Sequence, residues 1–124
     1  MKAREVVYLV GSDGEVLWSD AGDSPVALPD SRARWEAIWD RRDALVEIAH
    51  SHPVGPLAFS NEDETTIAAL EAALGRALRF SIVAPAGMLV REAGAERREA
   101  AEPEWAAALR RDSGMQDSKD KEEL

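Results

Sequence analysis

Cysteine is missing from this chain of 124 residues. Its absence excludes disulfides, thiolate metal ligands and a cysteine nucleophile, and it fits an intracellular setting. Basic residues are scarce: 15 Lys and Arg stand against 24 Asp and Glu, a formal net charge of -9. A broad nucleic-acid surface needs clustered Lys and Arg, so nucleic acid is not an expected partner. Apolar runs all fall short of the roughly 20 residues needed to cross a bilayer, so no membrane partner is expected either. Met1-Lys2-Ala3-Arg4 leads straight into a strand-like segment, without the layout of a signal peptide. The expectation is a soluble, cytoplasmic, acidic protein with one core, the natural arrangement at this length.

What the chain does contain is concentrated in one place. Both of its histidines fall in His50-Ser51-His52-Pro53, with Ser60 and Asp63 close downstream. The apolar approach Val46-Glu47-Ile48-Ala49 reads as a strand. In a strand, side chains at i and i+2 share a face, so the two imidazoles stand side by side. Asp63 then brings a carboxylate oxygen from the next element. Two nitrogens and one oxygen leave one tetrahedral position for water, the pattern of a catalytic zinc site. Zinc held by His50, His52 and Asp63 lowers the pKa of that water to about 7. Ser60-x-x-Asp63 is also a helix-capping pattern, with serine at the N-cap and an acid at the third helical position. The two roles are compatible, because a ligand in a first turn gains from being held there.

The rest of the chain supplies a frame for this cluster. Glu5 to Val10 is rich in β-branched residues and reads as a first strand; Gly11-Ser12-Asp13-Gly14 is turn chemistry, and Glu15 to Ser19 returns as a hairpin. A polar loop runs to Asp30. Asp30 or Ser31 caps a helix extending to about Asp43, striped by Trp35, Ile38 and Trp39. Helical spacing already explains these tryptophans, so they read as core anchors. Leu45 to His52 is the strand with the histidines, and Pro53 to Phe59 is a loop. Ser60 opens a helix with Ile67, Leu70 and Leu74 on its apolar stripe and Gly75 at its end. Strands follow at Leu78 to Ala84 and Met88 to Arg91, and Pro103 to Leu109 is a short helix with proline in its first turn. Residues 1–111 form a single domain on this reading, and the charged stretch 112–124 is expected to be a disordered tail. Strands and helices alternate without a strict βαβ rhythm. That predicts an α/β (α+β) fold, a mixed sheet flanked by helices, with the site at a sheet edge.

The spacing H-x-H, seven residues, S-x-x-D closely resembles the signature of the JAMM (MPN-plus, Mov34-like) zinc metalloproteases. Such residues at four fixed positions arise by accident in roughly one chain of this size in several thousand. Ser51 between the histidines, Pro53 after them and Gly55-Pro56 in the loop extend the likeness, and residues 1–92 can be laid on that domain. The resemblance implies a JAMM/MPN-like mixed sheet with cytidine-deaminase-like layering, zinc on His50, His52 and Asp63, and Ser60 as a donor to the developing oxyanion. It implies cleavage of peptide or isopeptide bonds, often after the C-terminal Gly-Gly of a ubiquitin-like or sulfur-carrier protein. It also implies a glutamate general base at an early strand. Glu5-Val6-Val7-Tyr8-Leu9-Val10-Gly11 resembles that part of the family, which places Glu5 in the role. Here the pattern departs: only four residues precede Glu5 where the family has a supporting helix, Tyr8 stands where a small residue is usual, and the glycine arrives one residue early. Glu15 and Glu47 are poorer bases, the first opening the return strand and the second on the strand face away from the histidines.

Two readings of function follow. One is a minimal JAMM hydrolase that binds the tail of a ubiquitin-like or sulfur-carrier protein by β-augmentation along the strand edge beside the metal. The other is a non-catalytic MPN-type protein-binding module that keeps the fold, with or without the metal, but lacks a working base. The RadC branch carries a similar motif, but Ser51 matches the protease branch, where RadC has asparagine. Trp35, Trp39 and Trp105 offer apolar surface for a homodimer.

Overall fold

Six consecutive residues, VVYLVG, make the first strand, β1 (Val6–Gly11), and every one of them is buried. A strand buried on both faces needs a covering layer on each side. The computed structural model, which describes residues 3–115, supplies both. One mixed sheet is formed in the order β2-β1-β3-β4-β5-β6, from β2 (Val16–Ala21), β3 (Leu45–Ser51), β4 (Arg79–Ala84), β5 (Gly87–Glu92) and β6 (Ala95–Arg98). Helices α1 (Arg32–Asp40) and α2 (Asn61–Leu74) cover one face, and α3 (Glu104–Asp112) covers the other. Alternation along the strands sorts the core. Tyr8, Val10, Ala49 and Val83 meet Trp105 and Leu109 of α3. Val7, Leu9, Ile48 and Phe80 meet Ile38 of α1 and Ile67 and Leu70 of α2. The mixed sheet flanked by helices is the class expected from the sequence.

Only β3 and β4 run parallel; the other neighbouring pairs are antiparallel. A parallel pair needs a crossover, and α2 is that crossover. Its ends are written in the sequence. Ser60 is the N-cap, and Gly75 closes the helix in the left-handed region at φ 69°. At the start of α1, Ser31 caps through the Arg34 N–H at 3.2 Å.

Several expectations are corrected. The histidine strand is not at an edge: β3 pairs with β1 on one side and β4 on the other, so the free edges belong to β2 and β6. A substrate tail therefore has no open edge of β3 to extend. Helix α1 stops at Asp40, short of Asp43, and buries Ala37 and Ile38. Trp39 is 52% exposed, with the Arg42 guanidinium 4.1 Å over its ring, so it is not a core anchor. Of the tryptophans expected on a dimer surface, Trp105 is buried in the core and Trp35 is half-buried. Strand β6 escaped the sequence reading because its residues, AERR, are all exposed and carry no apolar period. Its hairpin is set by positive φ at both Ala93 and Gly94, the two-residue turn that matches strand twist.

At the C-terminal side, α3 starts after Pro103 and continues past Leu109 to Asp112. Gly114 at φ 81° turns the chain, and the Met115 N–H returns to the Arg110 carbonyl at 2.9 Å, a Schellman closure. Ser113 and Met115 are buried, so packing reaches Met115, beyond the expected boundary at 111. The remainder of the tail, 116–124, lies outside the described residues. No helix among the described residues is long and apolar enough to cross a membrane.

Candidate metal centre

The carboxyl ends of β3 and β4 open on the side where α2 begins, and such crevices are where open α/β sheets place ligands. His50 is on β3, on the same face as Ile48. His52 lies one residue past the strand, but its N–H still bonds the Val83 carbonyl at 2.9 Å, so the extended course continues and both imidazoles stay on one face. Their ring centroids are 4.7 Å apart. The capping box then fixes Asp63: the Ser60 N–H donates to Asp63 Oδ2 at 2.8 Å, and the Asp63 N–H donates to Ser60 Oγ at 3.1 Å. Asp63 thereby points its carboxylate across the crevice. Oδ1 lies 3.2 Å from His50 Nε2, and Oδ2 lies 3.6 Å from His52 Nε2.

Outer contacts orient these groups. His52 Nδ1 lies 2.9 Å from the Pro56 carbonyl oxygen, which requires Nδ1 to carry the proton and leaves Nε2 as the lone-pair donor. Glu5 Oε1 lies 3.7 Å from His50 Nδ1. One oxygen of Glu5 and one nitrogen of each histidine fall within 4.8 Å of one another, so Glu5 is the other carboxylate that could complete a donor set. Asp63 faces the Nε2 atoms of both rings, with one oxygen to each. The Glu5 carboxylate lies against His50 Nδ1, the ring nitrogen that does not face Asp63. The donor set of two nitrogens and a carboxylate suits zinc. Glu5, His50, His52, Ser60 and Asp63, the five expected site residues, all line one cleft. Glu47 sits across the sheet, its carboxylate accepting from Ser81 and Arg79, and is no part of the site.

Glu5 is held without a preceding helix. Its N–H donates to the Ser24 carbonyl at 2.8 Å, and its carbonyl accepts from Gly22 at 2.9 Å. Arg4 donates to the Ser113 carbonyl at 3.0 Å, and the Tyr8 hydroxyl donates to the Asp112 carboxylate, so the end of α3 braces β1. Burial, then the neighbouring Asp112 charge, hold the Tyr8 phenol far above its usual range. Sequence reasoning marked Tyr8 as a departure; the departure is a bond to the last residue of α3. It also passed over the Pro56 carbonyl and over Arg91. The Arg91 guanidinium lies 4.4 Å over the Phe59 ring and pairs with Glu64 of α2, anchoring the first turn that carries Asp63. An arginine near the end of a strand gives no signal for such a role.

Ser51 is fully buried, and its Oγ accepts the Val6 N–H at 2.9 Å. That bond ties the strand behind Glu5 to the strand of the histidines. Ser51→Ala leaves a buried N–H without its acceptor, and is expected to cost about 1–3 kcal/mol in urea unfolding of the metal-free protein. An unchanged midpoint would remove Ser51 from the account.

Without metal, the cluster is an ion network. Burial disfavours the charged imidazole of His50, but the carboxylates of Asp63 and Glu5 outweigh it and push its pKa up to about 9. Burial likewise opposes ionisation of Asp63, and His50, His52 and the Ser60 N–H overcome it, holding the carboxyl far below its usual range. His50 therefore adds stability in full below its ordinary value of 6.5, and that contribution disappears as pH rises through about 9. Asp63 contributes above its ordinary value of 3.8 and loses its share as pH falls. The thermal unfolding midpoint of metal-free protein, relative to His50→Gln, should thus fall as pH rises from 6.5 to 9. A pH-independent difference between the two proteins contradicts the network.

No family model matches this chain, and no curated protein matches it.

Proposed function

We propose that this protein is a JAMM-type zinc metallohydrolase, a peptidase or isopeptidase acting at the C-terminal tail of a ubiquitin-like or sulfur-carrier protein in the cytoplasm. The observation that supports the reading is that Asp63 meets both imidazoles, Oδ1 at 3.2 Å from His50 Nε2 and Oδ2 at 3.6 Å from His52 Nε2, in a cleft that also holds Glu5 and Ser60. The helix–sheet–helix order is compatible with the cytidine-deaminase-like layering of that family.

When bound there, zinc supplies an acidified water and polarises the amide carbonyl. The chain's own groups do the rest. Glu5 would accept the water's proton and hand it to the leaving amine. Ser60 spends a lone pair on its cap, not its hydroxyl proton, which remains suited to the carbonyl oxygen as charge develops. Because β3 has no free edge, the tail reaches the metal through the cleft rather than by adding a strand.

One observation favours the alternative, a non-catalytic MPN-type module. Glu5 beside His50 Nδ1, at 3.7 Å, is also where an outer carboxylate orients a metal-bound imidazole. The deciding experiment offers zinc-loaded protein a set of ubiquitin-like and sulfur-carrier proteins extended beyond Gly-Gly, read by mass spectrometry. Release of the extension supports the hydrolase. Stoichiometric zinc with no release from any of them supports the module.

A further inference from the structure

The floor of the cleft is core: Val7, Ile38, Ile48, Ile67, Leu70 and Phe80 line it and are buried. What a partner can touch is the rim. Val26, 71% exposed, lines the mouth, and Val54, 60% exposed, stands between His52 and the lining residues Gly55 and Pro56. The other large apolar side chains exposed among the described residues are Val16 and Trp39, neither of which lines the cleft. Both rim valines sit on proline-bracketed loops, Pro25-Val26-Ala27-Leu28-Pro29 and Pro53-Val54-Gly55-Pro56. Proline fixes φ, which stiffens each loop. Backbone bonds pin them further: the Ser24 carbonyl accepts from the Glu5 N–H at 2.8 Å, and the Gly55 N–H donates to the His52 carbonyl at 2.9 Å. An apolar group displayed on a stiff loop loses little freedom when a partner covers it.

Charge on this rim has one sign. Asp30 and Glu62 line the cleft and are exposed. Arg34 is the one Lys or Arg in the lining among the described residues, and it is already paired with Asp20 at 2.9 Å. Flanking cations are engaged as well, Arg32 with Glu36 and Arg91 with Glu64. Two occupants are disfavoured by this sign. A second copy brings a net charge of -9, and the chain's own residues 116–124 carry four acids against two lysines. Like charges brought face to face oppose docking, and opposite charges favour it.

We infer that the mouth of the cleft docks an extended basic polypeptide segment. Its Lys or Arg side chains meet Asp30 and Glu62, and apolar side chains beside them cover Val26 and Val54. The inference rests on a protein tail entering the cleft, which the hydrolase and the binding module share. It adds the sign of that tail's charge, which neither reading contains.

The test is fluorescence anisotropy with full-length, zinc-loaded protein and three labelled peptides. All end in Gly-Gly and differ only at two upstream positions, which are both Lys, both Gln or both Glu, set among Val and Ser. At low ionic strength the Lys peptide should bind roughly 2- to 20-fold tighter than the Gln peptide, with the Glu peptide weakest. That advantage should vanish near 1 M salt, where the screening length is about 3 Å. Asp30→Asn with Glu62→Gln should remove it. Asp43→Asn with Glu104→Gln makes the same change in net charge at exposed positions outside the cleft, and should keep it. Val26→Ser with Val54→Ser should weaken all three peptides by roughly 3- to 30-fold. Equal or undetectable binding of the three peptides, or equal loss in the two charge variants, overturns the inference. So does a dimer, seen by sedimentation, that the Val26 and Val54 exchanges dissolve, because the rim then belongs to a second copy. Release of an extension from a Gly-Gly protein is read separately. Charge-blind binding with release removes the docking and leaves the hydrolase. Charge-dependent binding with no release removes the hydrolase and leaves the docking.

Discussion

On the proposed zinc site, His50→Ala and His52→Ala should each abolish stoichiometric zinc binding, as read by competition with a chromogenic chelator. Each exchange removes a ligand outright, so the loss should exceed the roughly 10- to 100-fold that follows from removing an outer partner. The geometry states why no neighbour can substitute. These are the chain's only histidines, and it has no cysteine. Among the described residues Glu5 is the further donor within reach of both, and with one histidine gone it would leave a site of two carboxylates and one imidazole. His52 carries an added argument: its Nδ1 is held by Pro56, so its Nε2 is already aimed before metal arrives. Glu47→Gln is the control. That side chain is buried on the opposite face of the same strand, and its exchange should leave zinc affinity unchanged. Near-ultraviolet circular dichroism separates lost metal from lost fold. Retained 1:1 binding in either histidine variant would place the metal elsewhere.

Glu5→Gln carries the second large effect and separates the two functional readings. If Glu5 moves the proton, kcat falls by roughly 10²- to 10⁴-fold, the range of general acid–base catalysis, while zinc stays bound. If Glu5 only orients His50, zinc affinity itself drops by about 10- to 100-fold and there is no turnover to lose. Asp63→Asn supplies the contrast. It removes a ligand and weakens the capping box, so it should lose zinc and also destabilise α2 by about 0.5–2 kcal/mol, the cost of a lost cap. A Glu5→Gln protein with full activity and full zinc would exclude Glu5 from both roles.

The parts of this site that were legible in the sequence are those set by short-range geometry. Alternation in a strand placed His50 and His52 on one face, and the capping pattern placed Asp63 in the first turn of α2, where its bonds to Ser60 now hold it. Helix ends marked by Ser31, Ser60 and Gly75 fall where those residue types predict. Long-range arrangement was not legible. Nothing local distinguishes an edge strand from an interior one when its flanks are equally apolar, and β3 is interior because β1 and β4 both pair with it. Tyr8 and Asp112 are 104 positions apart, so their bond could not be read from either segment. Strand β6 has no apolar pattern because it is an edge whose side chains face water. The Pro56 carbonyl that fixes His52 is a backbone group, and composition is silent about it.

The central claim is that His50, His52 and Asp63 together hold zinc with one position open toward Glu5. An anomalous-difference map at the zinc edge, from crystals grown with zinc and without chelator, tests it most directly. The account predicts one peak, roughly 2.0–2.2 Å from both Nε2 atoms and from an Asp63 oxygen, the usual zinc distances. Glu5 should lie beyond bonding distance of that peak. A crevice with no peak in excess zinc, or a peak ligated by Glu5 in place of Asp63, would contradict it.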